Sequence, residues 1–207
     1  MNLTIFASFI LFTCVVSIFI KRHTRATEKA NKDFWQKEQR ANEVRSRPLD
    51  DLDYVSIPLD TLPVTVMAED VSVKDCLDML YSLSSEKIVN FAGISNTDLK
   101  LTYGTANITV LSQYDQNFTL LVQTLHKWAT LLHQAGYDAE TRQILEYAVS
   151  INSDAGTSYR LLASLYDREG EQEKVKALHT AALALTSPSS KTIARTLRES
   201  YPYIDSV

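Results

Sequence analysis

The chain contains 207 residues, of which 45% are hydrophobic and 22% are charged, and its formal net charge is −4. These values are typical of a globular protein, and only five glycines and five prolines argue against widespread disorder. The weakly acidic balance gives no indication of nucleic-acid binding by the whole molecule. The length allows one domain of ordinary size with shorter segments attached.

The first predicted element is an uncharged, apolar run at residues 3–20. As a helix it would be about 27 Å long, close to the ~30 Å hydrocarbon thickness of a bilayer. Lys21, Arg22 and Arg25 follow the run, whereas a cleaved signal peptide carries its positive charge before the apolar segment. We therefore predict a retained single-pass transmembrane helix, with the N-terminus outside and residues 21–207 in the cytoplasm. A buried helix of a soluble protein is the alternative.

Residues 21–47 form a basic stem, with nine Lys or Arg against four Asp or Glu. Residues 26–45 lack Gly and Pro and are rich in helix formers, so the stem is predicted to continue the membrane helix until Pro48. The aromatic pair in the stem has two interpretations. Either Phe34 packs against the protein's own domain, or the stem contacts anionic lipid through Lys21, Arg22, Arg25 and Trp35.

Residues 48–106 are predicted to be an irregular connector with short helices. Three prolines among β-branched residues indicate extended segments and turns, with a short edge strand at residues 54–57 or 64–66. Ser72 followed by Asp75 predicts a helix start. Ser95 followed by Asp98 predicts another, and Gly104 supplies a stop for that second helix.

The strongest pattern is an internal repeat at an offset of thirty-four residues. The sequence of residues 125–153 aligns with that of residues 159–187, with large apolar residues, alanines and a turn glycine at equivalent positions. The matched pairs include Leu125/Tyr159, Trp128/Leu162, Ala129/Ala163, Leu132/Tyr166, Gly136/Gly170 and Ala148/Ala182. This pattern resembles the tetratricopeptide repeat, a family of stacked helical hairpins. Departures from the family pattern are Thr141 and Val175 in place of Ala, His179 in place of an aromatic residue, and Ser153 and Ser187 in place of Pro.

The resemblance implies a mainly α fold with a concave groove lined by the first helix of each hairpin. Upstream apolar residues continue the stripe of the first helix, so this helix is predicted to be unusually long. Pro188 precedes a predicted capping helix. The predicted segments are a transmembrane anchor (1–20), a basic stem (21–47), a connector (48–106), a tetratricopeptide-like domain (107–187), and a capping helix with tail (188–207).

By the thirty-four-residue match, eight side chains are predicted to line the groove and to bind a protein or peptide partner: Gln123, His126, Thr130, His133, Thr157, Arg160, Ser164 and Asp167. They lack the Lys/Asn/Arg set of family members that bind a C-terminal carboxylate. Ordinary solvation of each residue is the alternative interpretation.

No catalytic or cofactor motif is present in the sequence, so we predict neither an enzyme nor a cofactor. His126 and His133 lie seven residues apart, roughly 10 Å along a helix, which is too far to share a metal ion. His179 falls at a packing position, where it is predicted to be buried or half-buried.

The stem and connector, through FWQKEQRAN and LDDLDYVSIPLDTLP, are also similar to uncharacterised single-pass proteins of Gram-positive Clostridia. The sequence thus predicts a membrane-anchored adaptor or scaffold that presents a cytosolic helical-repeat groove to a protein partner. Three alternatives remain, namely an exported cell-envelope domain, an enzyme with an unrecognised site in residues 50–105, and a structural subunit of a membrane complex. Three Asn-x-Ser/Thr triplets, at Asn2, Asn107 and Asn117, favour the exported domain.

Overall fold

The structure is a computed structural model that describes residues 3–205, without the side chains of residues 3–11, 14, 15, 18, 22, 25 and 26. Over the described residues it is mainly α-helical and contains no β-strand, which confirms the predicted helical class. The helices are α1 (Leu3–Asn42), α2 (Val71–Ser84), α3 (Asn96–Tyr103), α4 (Ile108–Gln134), α5 (Asp138–Ser150), α6 (Gly156–Arg168), α7 (Gln172–Ala184) and α8 (Ser190–Ser200), with 3-10 turns at Thr105–Asn107 and Pro202–Asp205.

The chain divides into two compact units. The first unit contains the chain up to Arg47 together with Ser95–Ile108, and the second contains Pro48–Ile94 together with the chain from Thr109 onward. The basic stem and α3 therefore belong to one unit, and the helical hairpins with most of the connector belong to the other.

Helix α1 runs without interruption from the predicted anchor into the stem. It ends at Asn42, whereas the sequence predicted an end at Pro48, because residues 44–49 leave the helical conformation before the proline is reached. In the part of the chain described with side chains, no helix is both long and apolar enough to cross a bilayer. Most of the predicted span at residues 3–20 lies outside that part.

In the first unit, the C-terminal half of α1 packs on α3. Lys37 Nζ lies 2.6 Å from Asp98 Oδ1, and Glu38 accepts hydrogen bonds from Lys100 and from Thr97 Oγ1, the latter at 2.7 Å. Ala41 is fully buried at this contact. Both Lys37 and Glu38 are therefore held in ion pairs on the packed side of α1.

Helix α3 begins and ends as the sequence predicted. Ser95 is its N-cap, since its hydroxyl oxygen accepts a hydrogen bond from the Asp98 backbone N–H at 3.2 Å. Gly104 ends the helix with φ +87°, and its N–H donates to the Lys100 carbonyl oxygen. A Cβ atom at Gly104 would lie 2.5 Å from the Arg45 carbonyl oxygen, so this position requires glycine.

The connector differs from its prediction in two places. No strand forms at residues 54–57 or 64–66; the first segment makes a single antiparallel bridge between Tyr54 and Val89, and the second is in turns. The bridge does not extend into a ladder, because the Tyr54 N–H donates to the Leu52 carbonyl oxygen and the Val89 N–H donates to the Tyr114 carbonyl oxygen. The N-cap of α2 is Asp70 rather than Ser72, since Asp70 Oδ1 accepts from the Ser72 and Val73 N–H groups.

The four helices from α4 to α7 form two hairpins with the same local geometry. Helices α5 and α7 begin thirty-four residues apart and also end thirty-four residues apart. Gly136 and Gly170 adopt φ of +87° and +75° at the two turns. In each turn a backbone N–H returns to a carbonyl five residues earlier, from Tyr137 to Leu132 and from Glu171 to Tyr166, both at 2.9 Å.

Helix α4 is twice as long as the other hairpin helices, as the upstream apolar stripe predicted. Trp128 and Leu132 from α4 and Tyr159 and Leu162 from α6 are almost completely buried, and the small residues at the helix contacts are also buried, namely Ala129, Ala148, Ala163 and Ala182. These side chains join those of α2 in one continuous apolar cluster. The connector thus supplies part of the core that two hairpins alone would lack.

Helix α8 begins thirty-four residues after α6 and packs against α6 and α7. It buries Ile193 and Leu197, which are equivalent to Tyr159 and Ala163, and exposes polar residues on its outer side. The chain then forms a 3-10 turn at Pro202–Asp205. By its spacing, helix α8 is equivalent to α6, the first helix of the second hairpin.

Candidate functional site

The eight predicted groove residues all lie on α4 and α6, the first helices of the two hairpins. The two helices meet at His126, whose Nδ1 lies 3.1 Å from Ser158 Oγ. Helix α8 continues the row, since Ile193 packs against Gly156 at the start of α6. We call the surface formed by α4, α6 and α8 the first-helix face.

His126 is half-buried at the junction of α4 and α6. Burial lowers the pKa of its imidazole, and the positive charge of Arg160 lowers it further. Both effects favour the neutral ring, which exchanges a hydrogen bond with the Ser158 hydroxyl. Arg160 is exposed, and within the described residues it makes no ion pair.

Four of the predicted groove side chains are committed to internal contacts. The Thr130 and Ser164 hydroxyls donate to carbonyls of their own helices, at 2.8 and 2.7 Å. His133 Nδ1 lies 2.6 Å from Asp138 Oδ1, and Asp167 accepts a hydrogen bond from the Tyr203 hydroxyl at 2.7 Å. These four groups are thus less available to a partner than the sequence suggested.

A cluster on α4, α5 and α6 closes one end of the first-helix face. Asp138 is held between His133 and Arg168, whose Nη2 lies 2.9 Å from Asp138 Oδ2. The His133 hydrogen bond and the Arg168 contact hold the pKa of Asp138 below its usual value. These contacts tie the turn of the first hairpin to the end of α6.

The opposite end of this face is open. A cavity of about 350 Å³ lies between α6 and α8, lined by Gly156, Thr157, Arg160, Thr192, Ile193 and Thr196. The exposed Arg160 guanidinium and the three threonine side chains border this cavity together with the buried Ile193. Gln123, the remaining predicted groove residue, is exposed on α4. The face thus presents Thr157 and Arg160 to solvent at this cavity and Gln123 to solvent on α4.

The sequence did not identify Thr192 and Thr196 as part of the site. The sequence pattern predicts that α8 is a capping helix, and the thirty-four-residue match covers residues only up to Ser187. Extending the same offset from Gly156 and Leu162 leads directly to Ser190 and Thr196 in α8. The repeat itself was therefore the signal that could have found them.

The cavity between α6 and α8 adjoins a concavity of about 370 Å³ that shares Gly156, Thr192 and Ile193 with it. Two more concavities occur elsewhere in the second unit. One of about 250 Å³ lies beside α5, α6 and α7 and is bordered by Glu146, Tyr166 and Lys174. Its charged rim is already engaged, because Glu146 pairs with Arg142 and accepts a hydrogen bond from Tyr166. The other, of about 420 Å³, lies among the connector and the ends of α5 and α7. Asn90 lines this concavity, and its Nδ2 donates a hydrogen bond to the Asn152 carbonyl oxygen at 3.0 Å.

The two described sequons have engaged amide groups. Asn117 is buried, and its Nδ2 donates to the Lys87 carbonyl oxygen at 3.0 Å. Asn107 Nδ2 donates to the Arg47 and Tyr103 carbonyl oxygens, both at 2.8 Å. A glycan replaces one of the two Nδ2 hydrogens, so it would remove one hydrogen bond of Asn107 and would have to fit at the buried Asn117 side chain. These two sites therefore weaken the argument for an exported domain. Asn2 lies outside the described residues.

Of the predicted lipid-contacting residues, Lys21 and Trp35 are exposed on α1. Trp35 makes an edge-on contact with Phe34, with ring centroids 5.4 Å apart, and half of the Phe34 side chain is exposed. The side chains of Arg22 and Arg25 lie outside the described residues. Both interpretations of the aromatic pair therefore remain open.

Comparison with known proteins adds no relationship, because no family, curated protein sequence or solved structure shows significant similarity to this chain.

Proposed function

We propose that the chain is a membrane-anchored adaptor or scaffold in which a tetratricopeptide-like domain binds a protein or peptide partner. The observation that carries this proposal is the open cavity between α6 and α8, where Thr157 and Arg160 face solvent and Arg160 has no ion-pair partner among the described residues. A partner's backbone and polar side chains could hydrogen-bond to these groups while an apolar side chain contacts Ile193.

The repeat assignment has support from local geometry. Helices α5 and α7, and the starts of α6 and α8, recur at the same thirty-four-residue spacing, with equivalent glycine turns. Buried alanines at the helix contacts suit the close packing that hairpin stacks require. Thr141 departs from the family pattern, but its hydroxyl donates to the Ala129 and Tyr137 carbonyl oxygens and so is accommodated in the buried contact.

The membrane anchor is supported by the sequence, through the uncharged run at residues 3–20 and the basic residues that follow it. The polarity of these charges favours a cytoplasmic location for residues 21–207. Protease added to intact cells should then spare this region and should digest it in inverted vesicles. Digestion in intact cells would instead favour an exported domain.

Site-specific photocrosslinking in cells tests the binding role. A photoreactive residue at Thr157 or Thr192 should crosslink the full-length chain to one protein, because both positions line the cavity. The same group at Thr180, an exposed position on α7, serves as the control and should not form that adduct.

Charge reversal sharpens the same test. Arg160→Glu should reduce the cavity crosslink, whereas Arg195→Glu on the exposed side of α8 should leave it unchanged. Equal crosslinking at Thr157, Thr192 and Thr180, or no crosslinking at Thr157 and Thr192, would contradict a specific partner on the first-helix face.

A further inference from the structure

Helix α1 carries a row of cations that the proposed binding face does not use. Lys21, Lys29, Lys32 and Arg40 are separated by eight, three and eight residues, which places them on one side of an α-helix. We call this row the basic stripe. All four side chains are exposed, and none makes an ion pair within the described residues.

The opposite side of α1 is the one that packs on α3. Lys37 and Glu38 are paired with Asp98 and Lys100 on that side, and Ala41 is buried there. The stripe also contains two acids, since Glu28 and Asp33 lie four residues from Lys32 and Lys29 on the same side, but its cations outnumber them. The cation on the packed side, Lys37, is paired with Asp98, whereas the stripe keeps a net positive charge.

The second unit carries the complementary charge. Residues 48–94 contain nine acids and only two lysines. All nine acids are exposed, and none makes an ion pair within the described residues. We call them the acidic connector surface: Asp50, Asp51, Asp53, Asp60, Glu69, Asp70, Asp75, Asp78 and Glu86.

We propose that the basic stripe binds the acidic connector surface of a second copy of this chain. A helix stripe with a net positive charge and a connector rich in exposed acids, both on one polypeptide, favour association of copies, with each copy offering both halves of the contact. Individual exposed ion pairs are weak, so the contact depends on several acting together.

A lipid surface is a poorer fit for most of the basic stripe. If residues 3–20 span the membrane as proposed, Lys29 and Arg40 lie roughly 12 and 28 Å beyond Lys21 along α1. Screening at physiological salt acts over ~8 Å, so anionic headgroups attract the beginning of the stripe and not its remainder. A nucleic acid fits poorly as well, because the acidic connector surface would repel it.

Co-purification of two differently tagged full-length chains in detergent tests the proposal. The wild-type chains should associate at low salt and dissociate as salt is raised. Stem-reversed chains, K29E/K32E, should lose association with one another by roughly tenfold, and so should connector-reversed chains, D50K/D51K/D53K. A mixture of stem-reversed and connector-reversed chains should associate again, because both contacts become complementary.

Two controls separate this contact from other causes. K29R/K32R should behave as the wild type. Reversal of three acids outside the connector, Glu140, Glu173 and Glu199, changes the net charge equally and should leave self-association intact. Circular dichroism should show unchanged helix content in every variant, since all these positions lie at least partly at the surface.

The decisive result is the behaviour of the mixed reversed chains. Their failure to associate, with both variants folded, would overturn the proposal. Salt-independent association that survives both reversals would overturn it too, because it would place the contact in the apolar anchor. Flotation of the wild type with anionic vesicles that is lost in K29E/K32E, without any self-association, would assign the stripe to lipid instead. Loss of the photocrosslink at Thr157 would bear on the adaptor role alone.

Discussion

At His126, burial and a neighbouring positive charge act in the same direction on one side chain. The imidazole is half-buried between α4 and α6, and Arg160 lies close enough to disfavour its protonation. A histidine whose pKa is lower in the folded state binds more protons when unfolded. The folded state should therefore lose stability as the pH falls below about 6.5, the usual pKa of histidine.

Removing the charge of Arg160 tests this explanation. Arg160→Ala should raise the pKa of His126 without restoring it fully, because the larger effect of burial remains. The loss of stability between neutral pH and pH 5 should be smaller in the variant, and imidazole proton shifts in NMR spectra give the pKa directly. Arg168→Ala is the matched control, since Arg168 contacts Asp138 and should leave His126 unchanged. An unchanged His126 pKa in Arg160→Ala would contradict the electrostatic explanation.

At the scale of elements, helix α2 shows how one residue decides where a helix begins. Ser72 with Asp75 matched the capping pattern, but Asp70 lies at the N-cap in an extended conformation, with ψ 129°. Its carboxylate accepts two backbone N–H groups, at 2.9 and 3.0 Å. It therefore satisfies donors that the first turn of a helix leaves without partners.

Asp70→Ala should lower the free energy of unfolding by about 1 kcal/mol, because two backbone donors lose their acceptor. Asp70→Asn should retain most of the stability, since an amide oxygen also accepts at an N-cap. Ser72→Ala serves as the comparison and should have little effect. Urea unfolding followed by circular dichroism measures all three, and a larger loss in Ser72→Ala would reverse the assignment.

Local signals predicted the helices well and the contacts between segments poorly. The thirty-four-residue repeat located the turns at Gly136 and Gly170, and Ser95 and Gly104 marked the ends of α3, because each depends on backbone geometry within a few residues. The single bridge at Tyr54 and the internal pairing of His133 and Asp167 depend on residues brought together by folding. The cavity beside Thr192 likewise requires α6 and α8 to be adjacent, which a match ending at Ser187 did not imply.

At the scale of the whole molecule, the two units differ in the kind of internal contact that stabilises each of them. The second unit is built around a continuous apolar cluster. The contact between α1 and α3 relies more on polar groups, with Glu38 accepting from Lys100 and Thr97 beside the small buried residue Ala41. The Lys100 and Thr97 contacts lower the pKa of Glu38, as expected for a carboxylate stabilised in its charged form.

Glu38→Ala should consequently loosen α3 while the hairpins stay intact. Amide hydrogen exchange in Asn96–Tyr103 should accelerate, since the variant removes two hydrogen bonds that hold α3 to α1. Exchange in α5, α6 and α7 should stay at the wild-type rate, because their protection derives from a separate apolar core. Glu43→Ala, at an exposed position just beyond α1, is the matched control and should change neither region. Uniform acceleration across α3 and the hairpins would mean that the two units open together, and the chain would then behave as a single cooperative unit.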